Sequence, residues 1–230
     1  FVIMRTQLKR FIEQMDENSI AIIPAAHEVT RSYDTEFKFH QDPDFRYLTG
    51  FPEPDAIAVI NPSAKKPFTL YVRPRDPLME TWYGRRQGVE GAMKNYGADK
   101  AFSIERFPDD LGKVLDGHEV LYYRFAVDHK LDQAILGYLT EQRVRRLKTA
   151  YPPHTIKDPT IITGEMRLHK DKEEIALMQK AADIAADLSF AVETVVWYEQ
   201  LFFDVATRLQ ATGFIVHEVL PPRRGGSTSC

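Results

Sequence analysis

The run SIAIIPAA, residues Ser19–Ala26, is the stretch from which the fold class follows. Its apolar residues are continuous over a length typical of a β-strand. Pro24 cannot donate to a ladder, so it predicts a strand end or a sheet edge at that position. Two more strands are predicted at Ala56–Ile60 and Phe68–Val72, separated by the turn-forming residues Asn61-Pro62-Ser63.

Helical patterns alternate with these strands along the chain. Leu8–Met15 has helical spacing, Gly88–Tyr96 is predicted to be a helix that Gly97 ends, and Asp109–Leu115 is predicted to be another that Gly117 stops. Glu119–Phe125 is an aromatic-rich strand candidate. A last apolar stripe predicts a longer helix through Leu131, Ala134, Ile135, Tyr138 and Leu139. Strands that alternate with helices predict a layered α/β domain.

The chain changes character after about residue 150. Tyr151–Pro159 holds three prolines and is predicted to be an extended connector. Asp171 and Glu174 have the spacing of a capping box, and the apolar stripe that follows them predicts a long amphipathic helix running through Ile175, Met178, Ala182, Ala185, Leu188 and Val192. The pattern weakens from Trp197, apart from a possible helix (201–209) and strand (214–219), and ends in a predicted loose tail. We therefore expect the chain to stop inside an unfinished domain.

Composition excludes several classes of protein. With 43% apolar and 27% charged residues, the 230-residue chain is typical of a globular protein rather than a disordered one. Its net charge of -3 does not favour nucleic acid or an anionic membrane as a partner. The one cysteine, Cys230, cannot form an internal disulfide, so a reducing, cytoplasmic compartment is expected. The sequence also lacks a long apolar run and a recognisable secretory signal.

Local motifs provide little support for catalysis. His27, His40, Asp42 and Asp44 carry possible metal ligands, but without the spacing of a known metal motif, and Asp42-Pro43-Asp44 is better explained as a helix start. The run GRRQGVEG fits neither a dinucleotide-binding nor a phosphate-loop motif, and we expect a loop with flexible glycines before a helix. The acidic pairs Asp109-Asp110 and Glu173-Glu174 are predicted to be solvated helix starts.

Trp82 is the side chain whose position these patterns do not explain. It lies in ETWYGRR, residues 80–86, among charged residues and without clear periodicity. A tryptophan in such a polar loop either packs onto its own domain or contacts a partner or ligand.

Three segments together resemble one known family. They are HEVTRSYDTEFKFHQDPDFRYLTGFPEPDA (His27–Ala56), RPRDPLMETWYGRRQG (Arg73–Gly88) and EMRLHKDKEEIALMQKAADIA (Glu165–Ala185). Their order and approximate spacing are similar to the amino-terminal region of the aminopeptidase P, or Xaa-Pro aminopeptidase, family. The resemblance covers about residues 5 to 193, and the sequence departs from the family pattern after about Val195.

The resemblance implies a fold and a division into domains. Residues 1–168 would form the creatinase-like amino-terminal α/β domain, with a mixed sheet flanked by helices. Residues 169–230 would be the truncated beginning of the pita-bread catalytic domain, followed by a divergent tail.

The resemblance also implies a function. Full-length members are manganese-dependent hydrolases with two divalent ions, and they remove the residue that precedes a proline at the second position of a peptide. The family's ligand motifs have no match here, so we assign no metal ligand or catalytic residue and expect this chain alone to be inactive. The implied role is to shape a homo-oligomer and its active-site cleft. A non-catalytic interaction or oligomerisation module is the alternative.

Three residues are candidates for the cleft or the subunit interface. Trp82 and Asp34 resemble residues that the amino-terminal domain presents near a neighbouring subunit's active site, and Arg145 (or Arg146) resembles an arginine lining the cleft. Local chemistry also gives each of them an ordinary structural role: Trp82 could pack as a loop residue, Asp34 could form a turn, and Arg145 could be a cation at a helix end.

Overall fold

A computed structural model describes residues 2–144 and 151–186. The chain divides into two compact units, Phe1–Lys170 and Asp171–Cys230. In the described part of the first unit the helices are α1 (Val2–Gln14), α2 (Pro43–Thr49), α3 (Pro77–Tyr83), α4 (Gly88–Tyr96), α5 (Phe107–Leu115), α6 (His129–Val144) and α7 (Thr160–Leu168), with a 3₁₀ turn at Ile104–Arg106. The strands are β1 (Ser19–Pro24), β2 (Thr30–Ser32), β3 (Thr35–Glu36), β4 (Ile57–Ile60), β5 (Phe68–Val72), β6 (Lys100–Ser103), β7 (Val120–Tyr122) and β8 (Thr155–Lys157).

Six of these strands form one mixed sheet in the order β6-β5-β4-β1-β7-β8. β4 runs antiparallel to both of its neighbours, while the other pairs are parallel. β1 is therefore a central strand, and all six of its residues are buried. Pro24 pairs with Ile57 at the last position of β1, so it marks the strand end and not the sheet edge.

Side chains of β1 alternate between two cores, as the two-residue period of a strand requires. Ala21 and Ile23 belong to the core that also includes residues of α1, α2 and α7. Ile20 and Ile22 belong to the core covered by α5 and α6. The predicted α/β architecture, with helices on both faces of a mixed sheet, is confirmed.

Helix α2 shows how a short polar and aromatic motif becomes a structural anchor. The Asp42 carboxylate accepts from the backbone N–H groups of Asp44 and Phe45, which confirms the predicted helix start. Gly50 ends the helix at φ 65°, a left-handed conformation that a glycine adopts without strain, and its N–H donates to the Arg46 carbonyl. Phe51 is then buried, so much of FRYLTGF serves packing and helix ends.

Several sequence predictions need correction. Tyr151–Pro159 is not only a connector, because it contains β8, which pairs with β7 and extends the sheet. Asp110 is not solvated: it is buried, ion-paired to Arg106 at 2.7 Å, and accepts from the Tyr71 hydroxyl. Burial and the Asp110 charge raise the pKa of Tyr71 to about 12.

Two smaller corrections concern helices. Ala134 is exposed on α6, so the buried part of the predicted stripe runs through Leu131 and Ile135. The segment around Trp82 is helical and not a loop, because Asp76 and Pro77 start a helix there.

In the second unit, residues 172–186 are helical. The predicted capping box is confirmed: the Asp171 N–H donates to the Glu174 carboxylate at 2.9 Å, and the Glu174 N–H donates to the Asp171 carboxylate at 2.8 Å. Ile175 and Met178 on this helix are exposed. The predictions for Arg145, Arg146, Leu188 and Val192, and for the tail from Trp197, lie outside the described residues. Across 2–144 and 151–186, the helices are too short or too polar to span a lipid bilayer.

Candidate functional site

Two segments project from the same edge of the sheet. β1 and β5 are both antiparallel to β4, so they point the same way and end at the same edge. After β1 the chain forms the hairpin of β2 and β3, and after β5 it forms helix α3. We call these two segments, residues 29–37 and 77–83, the projecting surface.

Helix α3 is the first half of the projecting surface, and none of its residues is buried. Its start is fixed by the Asp76 carboxylate, which accepts from the N–H groups of Leu78 and Met79. The Arg75 guanidinium donates two hydrogen bonds of 2.9 Å to the Glu80 carboxylate, and this pairing lowers the pKa of Glu80. Capping and ion pairing therefore define this helix locally, while its apolar side chains face solvent.

Those apolar side chains are large. Trp82 is 84% exposed, Leu78 81% and Tyr83 61%. The Trp82 indole therefore does not pack onto its own domain, which excludes one of the two roles that the sequence left open. Large aromatic side chains presented together are a common feature of binding surfaces.

The hairpin is the second half of the projecting surface. Thr30 pairs with Glu36 and Ser32 with Thr35, and the Phe37 N–H donates to the Val29 carbonyl at 2.9 Å. Tyr33 has a positive φ of 47° in the turn, and its side chain is fully exposed. Asp34 lies beside it, at the tip and also exposed.

A network of charged side chains holds the base of the hairpin. The His27 ring contacts two carboxylates, Asp55 at 2.6 Å through Nδ1 and Asp128 at 3.0 Å through Nε2. Arg73, directly after β5, reaches Glu28 at 3.3 Å and Asp55 at 3.7 Å. Burial alone would lower the pKa of His27, but hydrogen bonds to the two carboxylates outweigh it and the pKa is raised. This network of charged side chains links the ends of β1 and β5 to the starts of β4 and α6.

Gln41 stabilises the loop next to this network of charged side chains. Its side-chain oxygen accepts from the Ala26 and Asp42 N–H groups, at 2.8 and 2.9 Å. Its amide nitrogen donates to the carbonyls of Phe51 and Glu53. One amide thus satisfies four backbone groups and fixes the path between β1 and β4.

The possible metal ligands of the sequence are not brought together. His27 binds the two carboxylates, Asp42 caps α2, and Asp44 pairs with Arg167 at 2.9 Å. Throughout the described ranges, no group of three or more His, Cys, Asp or Glu side chains could hold a metal ion.

Asp34 and Trp82 therefore share one edge of the sheet, whereas Arg145 lies outside the described residues. Sequence reasoning missed Glu28, Arg73, Asp55, Asp128 and Gln41 as the supports of this edge. A charged residue directly after a buried strand, such as Arg73, is the signal that could have identified part of the network.

Comparison with known proteins places this architecture in a family. Residues 4–122 match the model described as "Aminopeptidase P, N-terminal domain". The chain is 36% identical over 177 residues to an Xaa-Pro aminopeptidase of Escherichia coli, covering 76% of this chain and 40% of that protein. It is 35% identical to the Xaa-Pro aminopeptidase of Haemophilus influenzae, covering 77% of this chain and 39% of that one. The chain thus spans about two fifths of the length of these relatives.

Solved structures agree with the sequence comparison. Aminopeptidase PepP of Pseudomonas aeruginosa matches with a TM-score of 0.75 and 35% identity, over 80% of this chain and 42% of that one. A zinc-substituted E. coli aminopeptidase P in complex with product matches with a TM-score of 0.74 and 34% identity, over the same shares of the two chains. The chain therefore belongs to the aminopeptidase P family and contains that family's N-terminal domain.

Proposed function

We propose that this chain is the N-terminal portion of a manganese-dependent Xaa-Pro aminopeptidase, a cytoplasmic enzyme that removes the residue preceding a proline at the second position of a peptide. The family membership supports this activity, since similar proteins bear that name. The single cysteine supports the reducing compartment. Residues 1–168 would be the N-terminal domain, and residues 169–230 the beginning of the catalytic domain.

Within that enzyme, the projecting surface would contact a neighbouring subunit of a homo-oligomer and help to shape its active-site cleft. The observation that carries this proposal is helix α3, a locally capped helix that buries none of its own residues and exposes Leu78, Trp82 and Tyr83. Exposure of such an apolar surface to water is unfavourable, and a partner that covers the surface removes this free-energy cost. Trp82 and Asp34 would be the residues nearest the neighbour's cleft, and Arg145 would line it.

The described residues do not provide a binding site for the manganese ions of the proposed enzyme. Over 2–144 and 151–186 no cluster of ligand side chains converges, so we assign no ligand to these residues and derive no catalytic step from them. The 230-residue chain alone is accordingly proposed to be inactive.

A domain exchange tests the proposal. Residues 1–170 of this chain would replace the matching region of the E. coli Xaa-Pro aminopeptidase, and release of the first residue of an Xaa-Pro peptide would be measured with manganese. We expect the chimera to be active and the 230-residue chain alone to be inactive. In the chimera, Trp82→Ala should lower kcat/KM at least about tenfold, while Leu136→Ala, which removes an exposed apolar side chain from α6, should not.

The alternative is a non-catalytic interaction module. The exposed aromatic surface of α3 favours it, since such a surface is typical of partner binding whether or not a protein is catalytic. A chimera that folds and assembles but has no peptidase activity would support the module and overturn the enzymatic proposal.

A further inference from the structure

A cationic groove lies between the start of α4 and the segments on either side of α3. Its volume is about 410 Å³. Four of its lining side chains are cations and one is a carboxylate: Arg75, Arg85, Arg86, Lys94 and Glu90. The peptidase proposal gives this groove no role.

The cations of the groove are not all neutralised by the protein. Arg75 is paired with Glu80, but the side chains of Arg85 and Lys94 make no hydrogen bond to any described residue. The Nε of Arg86 is buried without a hydrogen-bond partner among the described residues, although its Nη1 donates to the Pro74 carbonyl at 3.4 Å. Arg85 and Lys94 therefore present positive charge to the groove that no carboxylate among the described residues binds directly.

The shape of the groove is set without a ligand. Gly88 has φ 60°, a conformation that glycine adopts without strain, and a Cβ there would lie 2.6 Å from Cγ of Arg75, so the arginine would have to shift. Asn95 donates to the Gln87 side-chain oxygen at 2.8 Å, and a Cβ at Gly91 would lie 2.7 Å from that oxygen. The side chains of Arg75 and Gln87 thus lie close over Gly88 and Gly91 at the wall of the groove.

The helix start itself is already occupied. The Gln87 N–H, at the N-terminus of α4, donates to the Glu53 carboxylate at 2.6 Å. An anion in the groove would consequently bind side-chain guanidinium and ammonium groups and not the helix N-terminus.

We infer that this groove binds a small multivalent oxyanion, a compound with two or more phosphate or carboxylate groups. Arg85, Arg86 and Lys94 would supply positive charge to the ligand, and Arg75, held by Glu80, would form the wall. The groove is larger than a single phosphate needs. Its four cations outnumber the nearby carboxylates of Glu80, Glu90 and Glu53, so the groove keeps a net positive charge that favours an anion.

Titration calorimetry on the full 230-residue chain tests this inference, with inorganic pyrophosphate and citrate as separate probes in about 150 mM sodium chloride, an ionic strength that screens weak surface attraction. The two arms distinguish a phosphate from a carboxylate ligand. We expect at least one probe to bind, and the variant R85A/K94A to weaken that binding at least about fivefold, because it removes two exposed charges of the groove. Amide shifts in the NMR spectrum should concentrate at residues 85–95.

The matched control is K65A/K66A, which removes two exposed lysines from the turn between β4 and β5 and should leave binding unchanged. Should R85A/K94A unfold, the milder R85Q/K94Q variant removes the same charges and replaces it in the comparison. The inference is overturned by an absence of binding to both probes at about 10 mM, a concentration well above that of a specific site. It is equally overturned if the control pair weakens binding as much as the groove pair, since the attraction would then be non-specific.

Discussion

Helices α2 and α3 are built from the same local parts but lie in opposite surroundings. Each has seven residues, begins with proline after an aspartate cap, and is followed by a glycine. α2 buries four residues, Asp44, Phe45, Leu48 and Thr49, whereas α3 buries none. Caps and turns therefore specify where a short helix forms, while the surrounding structure decides whether it anchors the core or faces outward.

The largest expected difference between the two helices is in aromatic truncation. Phe45→Ala in α2 removes a side chain with no exposed surface and should lower the free energy of unfolding by about 3–5 kcal/mol. Trp82→Ala in α3 should change it by less than about 1 kcal/mol, because little buried area is lost. Urea denaturation of both variants measures the contrast. A loss of several kcal/mol for Trp82→Ala would show that α3 is packed after all.

Removal of the aspartate caps should give a smaller contrast. Asp42→Ala deletes two hydrogen bonds to the N-terminus of a helix within the core, and we expect a loss of about 1 kcal/mol. Asp76→Ala deletes the equivalent bonds in α3 and should cost less than about 0.5 kcal/mol globally, since α3 can fray without exposing core. Hydrogen exchange should instead accelerate locally in α3. Equal global losses in both variants would contradict the distinction between an anchoring helix and an outward one.

The network of charged side chains around His27 should contribute least to the free energy of unfolding, and its contribution should depend on pH. The folded-state pKa of His27 is raised, so its stabilising effect is fully present below the unfolded pKa of about 6.5 and is lost as pH rises through the folded value. Because half of the side chain is exposed, screening should keep the effect below about 1 kcal/mol. The stability of wild type relative to His27→Gln, measured between about pH 5.5 and 8.5, should therefore decline as pH rises. His40→Gln is the control, and a wild-type advantage that grows with pH would refute the assigned sign.

The sequence predicted elements whose signals are local. Gly88–Tyr96 and Phe68–Val72 are correct at both ends, because a capping glycine and a bounded apolar run define them. β8 was missed because prolines surround it and its pairing partner is about 35 residues away in sequence. The hairpin was missed because both of its faces are polar or exposed, which leaves no hydrophobic alternation to detect.

The candidate site was predictable only in part. The polar neighbours of Trp82 left open whether its side chain packs or is exposed. The family resemblance favoured exposure but did not reveal the side chains that support this part of the sheet. His27 and Asp128 are 101 residues apart, and a pair formed by folding over that distance has no sequence signal in a single chain. The burial of Asp110 was likewise invisible, since the Tyr71 hydroxyl that it accepts from lies on another element.

Sedimentation velocity of the 230-residue chain over a range of concentrations is the most direct test of the proposed interface. We expect reversible self-association, with the double variant Leu78→Ala/Trp82→Ala raising the dissociation constant at least about tenfold and Leu136→Ala leaving it unchanged. A chain that stays monomeric at the highest concentration, or one whose association is the same in all three proteins, would contradict the claim that the projecting surface joins one subunit to another.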